Sequence, residues 1–321
     1  MRSTFGQEIF LTVHKKDSNS VVFKADGLRV DFNVMLIDGF SRGTFTLYNL
    51  APETIRAIAS RDNYVTLKTR LHGGSLTTIA NSYYISNIME EKKIPESVTT
   101  LYCFDNLKRQ YLEKPVDIIV RQPTLRKEVE QILNYVEYPS KPVFKSFPEG
   151  RLGAQSGREG LKHVGTAQRC LTGLQKAHKF KLYTDPSDGI VCMYLPSSDE
   201  LRYTTLQNRN ADVKLHTNNM RSNPVIGVAS LLVTSNLDGR IRPTSVLDIA
   251  DLLTFTPGTD ETTLQLAQGF LQNHVDGFTK YQTITVQHKG SNYTDAWHTI
   301  ATCTAPTRGK HMHPRNWHSG K

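Results

Sequence analysis

Two imidazoles one residue apart, His311 and His313 in the run His311-Met312-His313-Pro314-Arg315-Asn316-Trp317-His318, are the most direct candidates for metal chemistry. In an extended segment an H-x-H pair places both rings on one side of the backbone, a geometry open to a transition-metal ion. No carboxylate or cysteine accompanies them, and terminal segments are commonly the least ordered part of a domain. A flexible or partner-docking tail is the plainer reading, and no metal is expected.

The second candidate is electrostatic. Between Lys141 and Lys181 stand nine basic residues (Lys141, Lys145, Arg151, Arg158, Lys162, Arg169, Lys176, Lys179, Lys181) and two acidic ones (Glu149, Glu159). Nine minus two is +7, most of the chain's net charge of +9. Such a surface concentrates anionic partners and makes binding salt-sensitive. Arg151, Arg158 and Lys162 are the candidate contacts to a partner or to DNA, with a solvated, solubilising surface as the alternative. Pro148–Gly160 holds four glycines but no G-x-x-x-x-G-K-[ST] window, so a basic surface loop fits better than a phosphate cradle.

Other chemistry lacks its residue sets. There is no G-x-S-x-G, no H-E-x-x-H, no G-x-G-x-x-G after a strand and no EF-hand loop. Glu90-Glu91 beside Lys92-Lys93 reads as a solvated strand-end turn rather than an acid/base pair. The aromatics do not interleave with basic residues as they do in RNA-binding sheets. Cys103, Cys170, Cys192 and Cys303 stand far apart with no C-x-x-C, so they are expected to be reduced and buried. No catalytic residue and no cofactor are expected, and the chain reads as no enzyme.

The elements that would carry these residues follow from length and periodicity. The 321 residues suffice for two or three domains, and 13 Tyr and 13 Phe argue against disorder. No apolar run approaches a membrane span, and Met1–Glu8 contains no apolar stretch of a secretory leader, so no membrane insertion is expected. Leu28, Val30, Phe32, Val34 and Leu36 alternate with Arg29, Asp31 and Asn33, the period of a half-buried strand. The same pattern predicts strands at Glu8–His14, Gly43–Tyr48, Tyr64–Leu71, Ile79–Met89 and Val98–Phe104, with a short helix at Pro52–Ala59 plugging one end.

After Asp105 the period changes. Helices are predicted at Thr124–Tyr138 and Thr166–His178, followed by a strand pair, Phe180–Tyr183 and Ile190–Leu195. The last third returns to strands at Thr204–Leu206, Val213–His216 and Pro224–Thr234, and Leu264, Ala267, Phe270 and Leu271 give Thr262–Asn273 a helical period. A final hairpin joins Tyr281–His288 to Ala296–Thr304 across Lys289–Asn292. The expected fold is mainly β with an α+β insert: residues 1–105 and 201–321 as barrel-like or sandwich-like β modules, and 106–200 as a small α+β domain.

The stretches Val30-Asp31-Phe32-Asn33-Val34 and Gly43-Thr44-Phe45-Thr46-Leu47-Tyr48-Asn49-Leu50-Ala51-Pro52-Glu53-Thr54-Ile55-Arg56 resemble the start of the baseplate hub proteins of contractile-tailed phages, of the Mu and late control protein D type. Tyr84-Ile85-Ser86-Asn87-Ile88 and Val98–Asp105 look like the closing hairpin of that family's first tube-like domain. Thr285–Ser291 with Ala296-Trp297-His298-Thr299 is similar to a later hairpin, "V-x-H-x-G-D … W-x-T". Ser291 stands where Asp is common, so no role for that carboxylate carries over.

The resemblance implies a mechanical function. A homotrimer would present two tube-like domains per subunit as a pseudo-sixfold ring. That ring would join the threefold central spike to the sixfold tail tube around a channel for DNA, in a virion tail baseplate made in the host cytoplasm. Tape measure and baseplate wedge proteins would be further neighbours. A nucleic-acid-binding protein acting through residues 141–181 is the alternative.

Overall fold

The strands predicted by period two are present in a computed structural model that describes residues 6–15, 20–39, 41–60, 62–71, 74–106, 108–121, 124–138, 140–145, 160–186, 189–194, 209–226, 230–252, 256–257 and 279–304. The chain divides into two units, Met1–Leu195 and Pro196–Lys321.

The first unit opens with β1 (Gln7–Lys15), β2 (Val21–Lys24), β3 (Val30–Leu36), β4 (Arg42–Tyr48), α1 (Pro52–Ile58), β5 (Asn63–Leu71), β6 (Thr77–Lys93) and β7 (Glu96–Asp105). The seven strands pair antiparallel in the order β3-β4-β7-β6-β5-β1-β2. Alternation becomes burial: Val30, Phe32, Val34 and Leu36 of β3 face Phe45 and Leu47 of β4 and Leu101 and Cys103 of β7 in the core. Helix α1 begins with Pro52, where a missing N–H costs no bond, and buries Ile55 and Ile58. Its last carbonyls are satisfied from outside the helix, because Asn63 Nδ2 donates to Ala57 O and Ile58 O at 2.9 and 2.8 Å.

The α+β insert follows within the same unit. A π-helical turn at Lys108–Leu112 leads into β8 (Pro115–Val120), α2 (Leu125–Tyr135), β9 (Val143–Lys145), β10 (Leu161–Thr166), α3 (Ala167–His178), β11 (Phe180–Asp185) and β12 (Gly189–Tyr194). Thr124 and Thr166 cap α2 and α3 by accepting the Lys127 and Arg169 N–H groups, each at 3.2 Å. Val129, Ile132 and Leu133 of α2 meet Cys170, Leu171 and Leu174 of α3 and Phe180, Leu182 and Ile190 of the β11–β12 hairpin in one core. At the turn, Gly189 has φ +74° and a Cβ there would lie 2.1 Å from Tyr138 Oη, which accepts the Ile190 N–H at 3.1 Å. Only glycine fits.

Periodicity marks neither β8 nor β10 as a strand. They pair antiparallel from Leu161↔Val120 to Thr166↔Pro115 across about forty residues of chain. Ile118-Ile119 interrupts the alternation of one, and glycine-rich sequence precedes the other.

The second unit contains β13 (Val213–Lys214), β14 (Val225–Ile226), β15 (Ser230–Asn236), β16 (Val246–Asp248), β17 (Thr256–Pro257), β18 (Lys280–Ser291) and β19 (Trp297–Thr304). Its centre is β15-β19-β18, with β14 on β15 and β16 on β18. Leu231, Val233, Val246, Tyr281, Val286, Trp297 and Ala301 are buried there. The predicted helix at 262–273 and strand at 204–206 lie outside the described residues. The final hairpin turns later than predicted, between Ser291 and Trp297, because Ser291 Oγ accepts the Tyr293 and Thr294 N–H groups at 3.1 and 3.2 Å and closes the turn itself. The fold is mainly β with an α+β insert.

Candidate interaction surfaces

Strand β10 carries Lys162, one of the three basic residues singled out from the sequence. Its side chain is exposed and lies 3.4 Å from Asp117 Oδ1 on the neighbouring strand β8, so its charge already has a partner in water. Arg151, Arg158, His311 and His313 lie outside the described residues. Among the described residues no three His, Cys, Asp or Glu side chains gather in a way that could hold a metal ion.

The rest of the basic segment splits by role. Lys181 of β11 is structural: its Nζ donates to Asp38 Oδ2 at 2.7 Å, and Asp38 Oδ1 also accepts from the Leu182 N–H at 3.1 Å and Gln175 Nε2 at 3.0 Å. Arg169 and Lys176 instead stand exposed on α3, opposite the buried Ala167, Cys170, Leu171 and Leu174. Beneath β10, His163 Nε2 meets the fully buried Glu128 of α2 at 2.7 Å, a link that ties the β8–β10 pair to the helix.

A different surface, missed by the sequence reading, lies on the outer face of the first sheet. Along β7, Leu101 and Cys103 point into the core while Tyr102 and Phe104 point out, 38% and 45% exposed. The register places Phe104 between Arg42 and Tyr84, Tyr102 between Thr44 and Asn87, and Thr100 between Thr46 and Met89, itself 41% exposed. Adjacent exposed apolar side chains on a sheet face are a common mark of a surface that another molecule covers.

Burial shifts several titratable groups among the described residues of both units. Burial pushes all four thiols up, Cys103, Cys192 and Cys303 most strongly, so none is a thiolate at neutral pH. His288 of β18 is buried with Nδ1 3.0 Å from Thr299 Oγ1, and burial lowers its pKa to about 4, with Arg242 adding to the effect. Tyr48 donates to Asp31 Oδ2 at 2.6 Å with the Arg29 guanidinium 4.0 Å from its ring centre, and its pKa is raised to about 12, chiefly by burial.

No protein-family model matches the chain, and no curated protein does. Solved structures do. A tail protein from Neisseria meningitidis aligns with 92% of this chain and 96% of its own at a TM-score of 0.52 and 9% identity. The 43 kDa tail protein of prophage MuSo2 from Shewanella oneidensis aligns with 94% and 97% at a TM-score of 0.50 and 10% identity. The chain has the fold of these tail proteins. Agreement over almost the full length of both chains at such low identity means that the layout of elements, more than any side-chain set, is what is shared.

Two of the residues in the stretches that resemble the hub family, Asn49 and Ser291, make turn contacts. Asn49 takes a left-handed conformation, φ 56°, which asparagine tolerates better than most side chains. It binds the start of β7 twice, its N–H donating to Ser97 O at 2.8 Å and its Oδ1 accepting the Ser97 N–H at 3.0 Å. Ser291 closes the turn between β18 and β19 through its hydroxyl, which accepts the Tyr293 and Thr294 N–H groups.

Proposed function

We propose that the chain is a structural component of a phage tail: the baseplate hub, a homotrimer that joins the threefold central spike to the sixfold tail tube and leaves a channel for DNA. The observation that carries this reading is the tail-protein fold running over nearly the whole of both matched chains, together with the ordered sequence phrases of the hub family. In this assignment residues 1–105 and 201–321 are the two tube-like modules of each subunit, and 106–200 is a domain set between them in sequence. Tape measure and baseplate wedge proteins are the further contacts expected of a hub. Its location is the tail baseplate of the virion.

The role requires binding surfaces rather than a reaction, and the outer face of the first sheet suits it. Phe104, Tyr102 and Met89 offer apolar area, while Arg42, Thr44, Thr46 and Thr100 offer donors and acceptors around it. Symmetric closure of subunits would cover such a face and leave no exposed sheet edge for uncontrolled pairing. Negative-stain imaging of the purified chain mixed with its spike tests the assignment. Annular particles with threefold averages are expected; free spikes beside isolated single subunits would end it.

A further inference from the structure

Helix α3 contains a glycine that its own fold does not require. Gly173 lies in the interior of Ala167–His178 on the exposed side, and a Cβ built there meets nothing within 4 Å. Glycine is the poorest helix former after proline, so this position forgoes helix stability without relieving any clash among the described residues. The residues around it form one continuous face. Thr166, Gln168, Arg169, Thr172, Gly173 and Lys176 lie side by side on this open surface.

The charge of this face has one sign. Between Ala167 and His178 there is no acidic residue, and Arg169 and Lys176 have no ion pair among the described residues, unlike Lys162 and Lys181 nearby. Seven residues of helix separate the two cations by about 10 Å on one side, with Gly173 between them. Thr172 and Gln168 add neutral hydrogen-bonding groups.

We propose that this face of α3 is a docking site for an acidic helical segment of another protein, whose backbone crosses close over Gly173 while two of its carboxylates pair with Arg169 and Lys176. A missing Cβ at a helix crossing lets two helix axes approach, and two turns of helix on the partner match the spacing of the two cations. A nucleic-acid duplex fits less well, because backbone recognition of DNA draws its affinity from many phosphate contacts, and among the described residues this helix face offers two cations. The site is distinct from the aromatic sheet face and does not depend on the tail assignment.

The test uses the full chain and fluorescence anisotropy at low salt. The probes are a labelled alanine-rich helical peptide with two glutamates seven residues apart, its glutamine twin, and a short mixed-sequence DNA duplex. The glutamate peptide is expected to bind about tenfold more tightly than its twin, and Arg169→Glu with Lys176→Glu to remove that advantage. Gly173→Leu should weaken binding about tenfold by filling the crossing point, and Gly173→Ala should weaken it less while raising the unfolding midpoint by about 2–4 °C. A glycine with only a structural role would give the stabilisation with no loss of binding, and that result overturns the proposal. Equal binding of the two peptides, or binding of the duplex but not of the glutamate peptide, overturns it as well.

Discussion

Asp38, in the loop after β3, and Lys181, in β11, form a 2.7 Å ion pair that fastens the α+β insert to the first sheet. The same carboxylate accepts the Leu182 N–H and the Gln175 amide, and Gly39 N donates back to Leu182 O at 2.8 Å. One of the most basic stretches of the sequence therefore spends part of its charge on internal attachment.

This joint predicts an asymmetry between its two halves. Asp38→Ala removes the acceptor for three donors and should cost about 1–3 kcal/mol in urea unfolding. Lys181→Met leaves Asp38 with the Leu182 and Gln175 donors in a partly exposed site and should cost about 1 kcal/mol or less. Equal effects would show that the ion pair alone holds the joint.

His288 gives the second unit a pH dependence of fixed sign. The imidazole is neutral in the folded chain, with a pKa of about 4, whereas the unfolded chain takes up a proton at about 6.5. Its contribution is complete above about pH 6.5 and is lost as the pH falls towards 4, roughly 2–3 kcal/mol by pH 4.5. Urea unfolding at pH 7 and pH 4.5, compared between the native chain and His288→Gln, should show the loss shrinking in the variant. A loss of the same size in both would assign the acid sensitivity to other groups.

All four cysteines are buried free thiols with raised pKa values. A thiol-specific reagent at neutral pH should label none of them quickly in the folded chain and all four in denaturant. Cys170, the least enclosed, is expected to react first. Rapid labelling of Cys103 or Cys303 without denaturant would contradict the packing of both sheets.

Much of the architecture is legible in the amino-acid sequence because the physics is local. In β3 and β4 every second residue is apolar, and burial follows that alternation residue by residue. Two-residue strands such as β14 and β17 exist only through their neighbours, and no period can appear in so short a run. The aromatic face was hidden for another reason. Along β7, Leu101 and Cys103 alternate with Tyr102 and Phe104, so both sides look apolar and the sequence does not say which one faces out. The basic segment gave a correct net charge, but its division between attachment at Lys181, a strand pair at Lys162 and an open helix face at Arg169 and Lys176 depends on tertiary placement.

The sheet face makes a prediction separable from folding. Tyr102→Asp with Phe104→Asp loses the more than half of each ring that the sheet covers, so the unfolding free energy should fall by about 2–4 kcal/mol while circular dichroism still shows a folded chain. In the proposed hub, whose subunits would close over this face, self-association should be lost, because two carboxylates there could not be desolvated cheaply. Retained assembly in this variant would place the subunit contact elsewhere.

The mass of the purified chain in solution, measured by mass photometry across a range of concentrations, tests the hub assignment most directly. A population at three times the 36.2 kDa chain mass is the expected result, growing with concentration at the expense of single chains. Single chains at every concentration, unchanged when the spike is added, would contradict it.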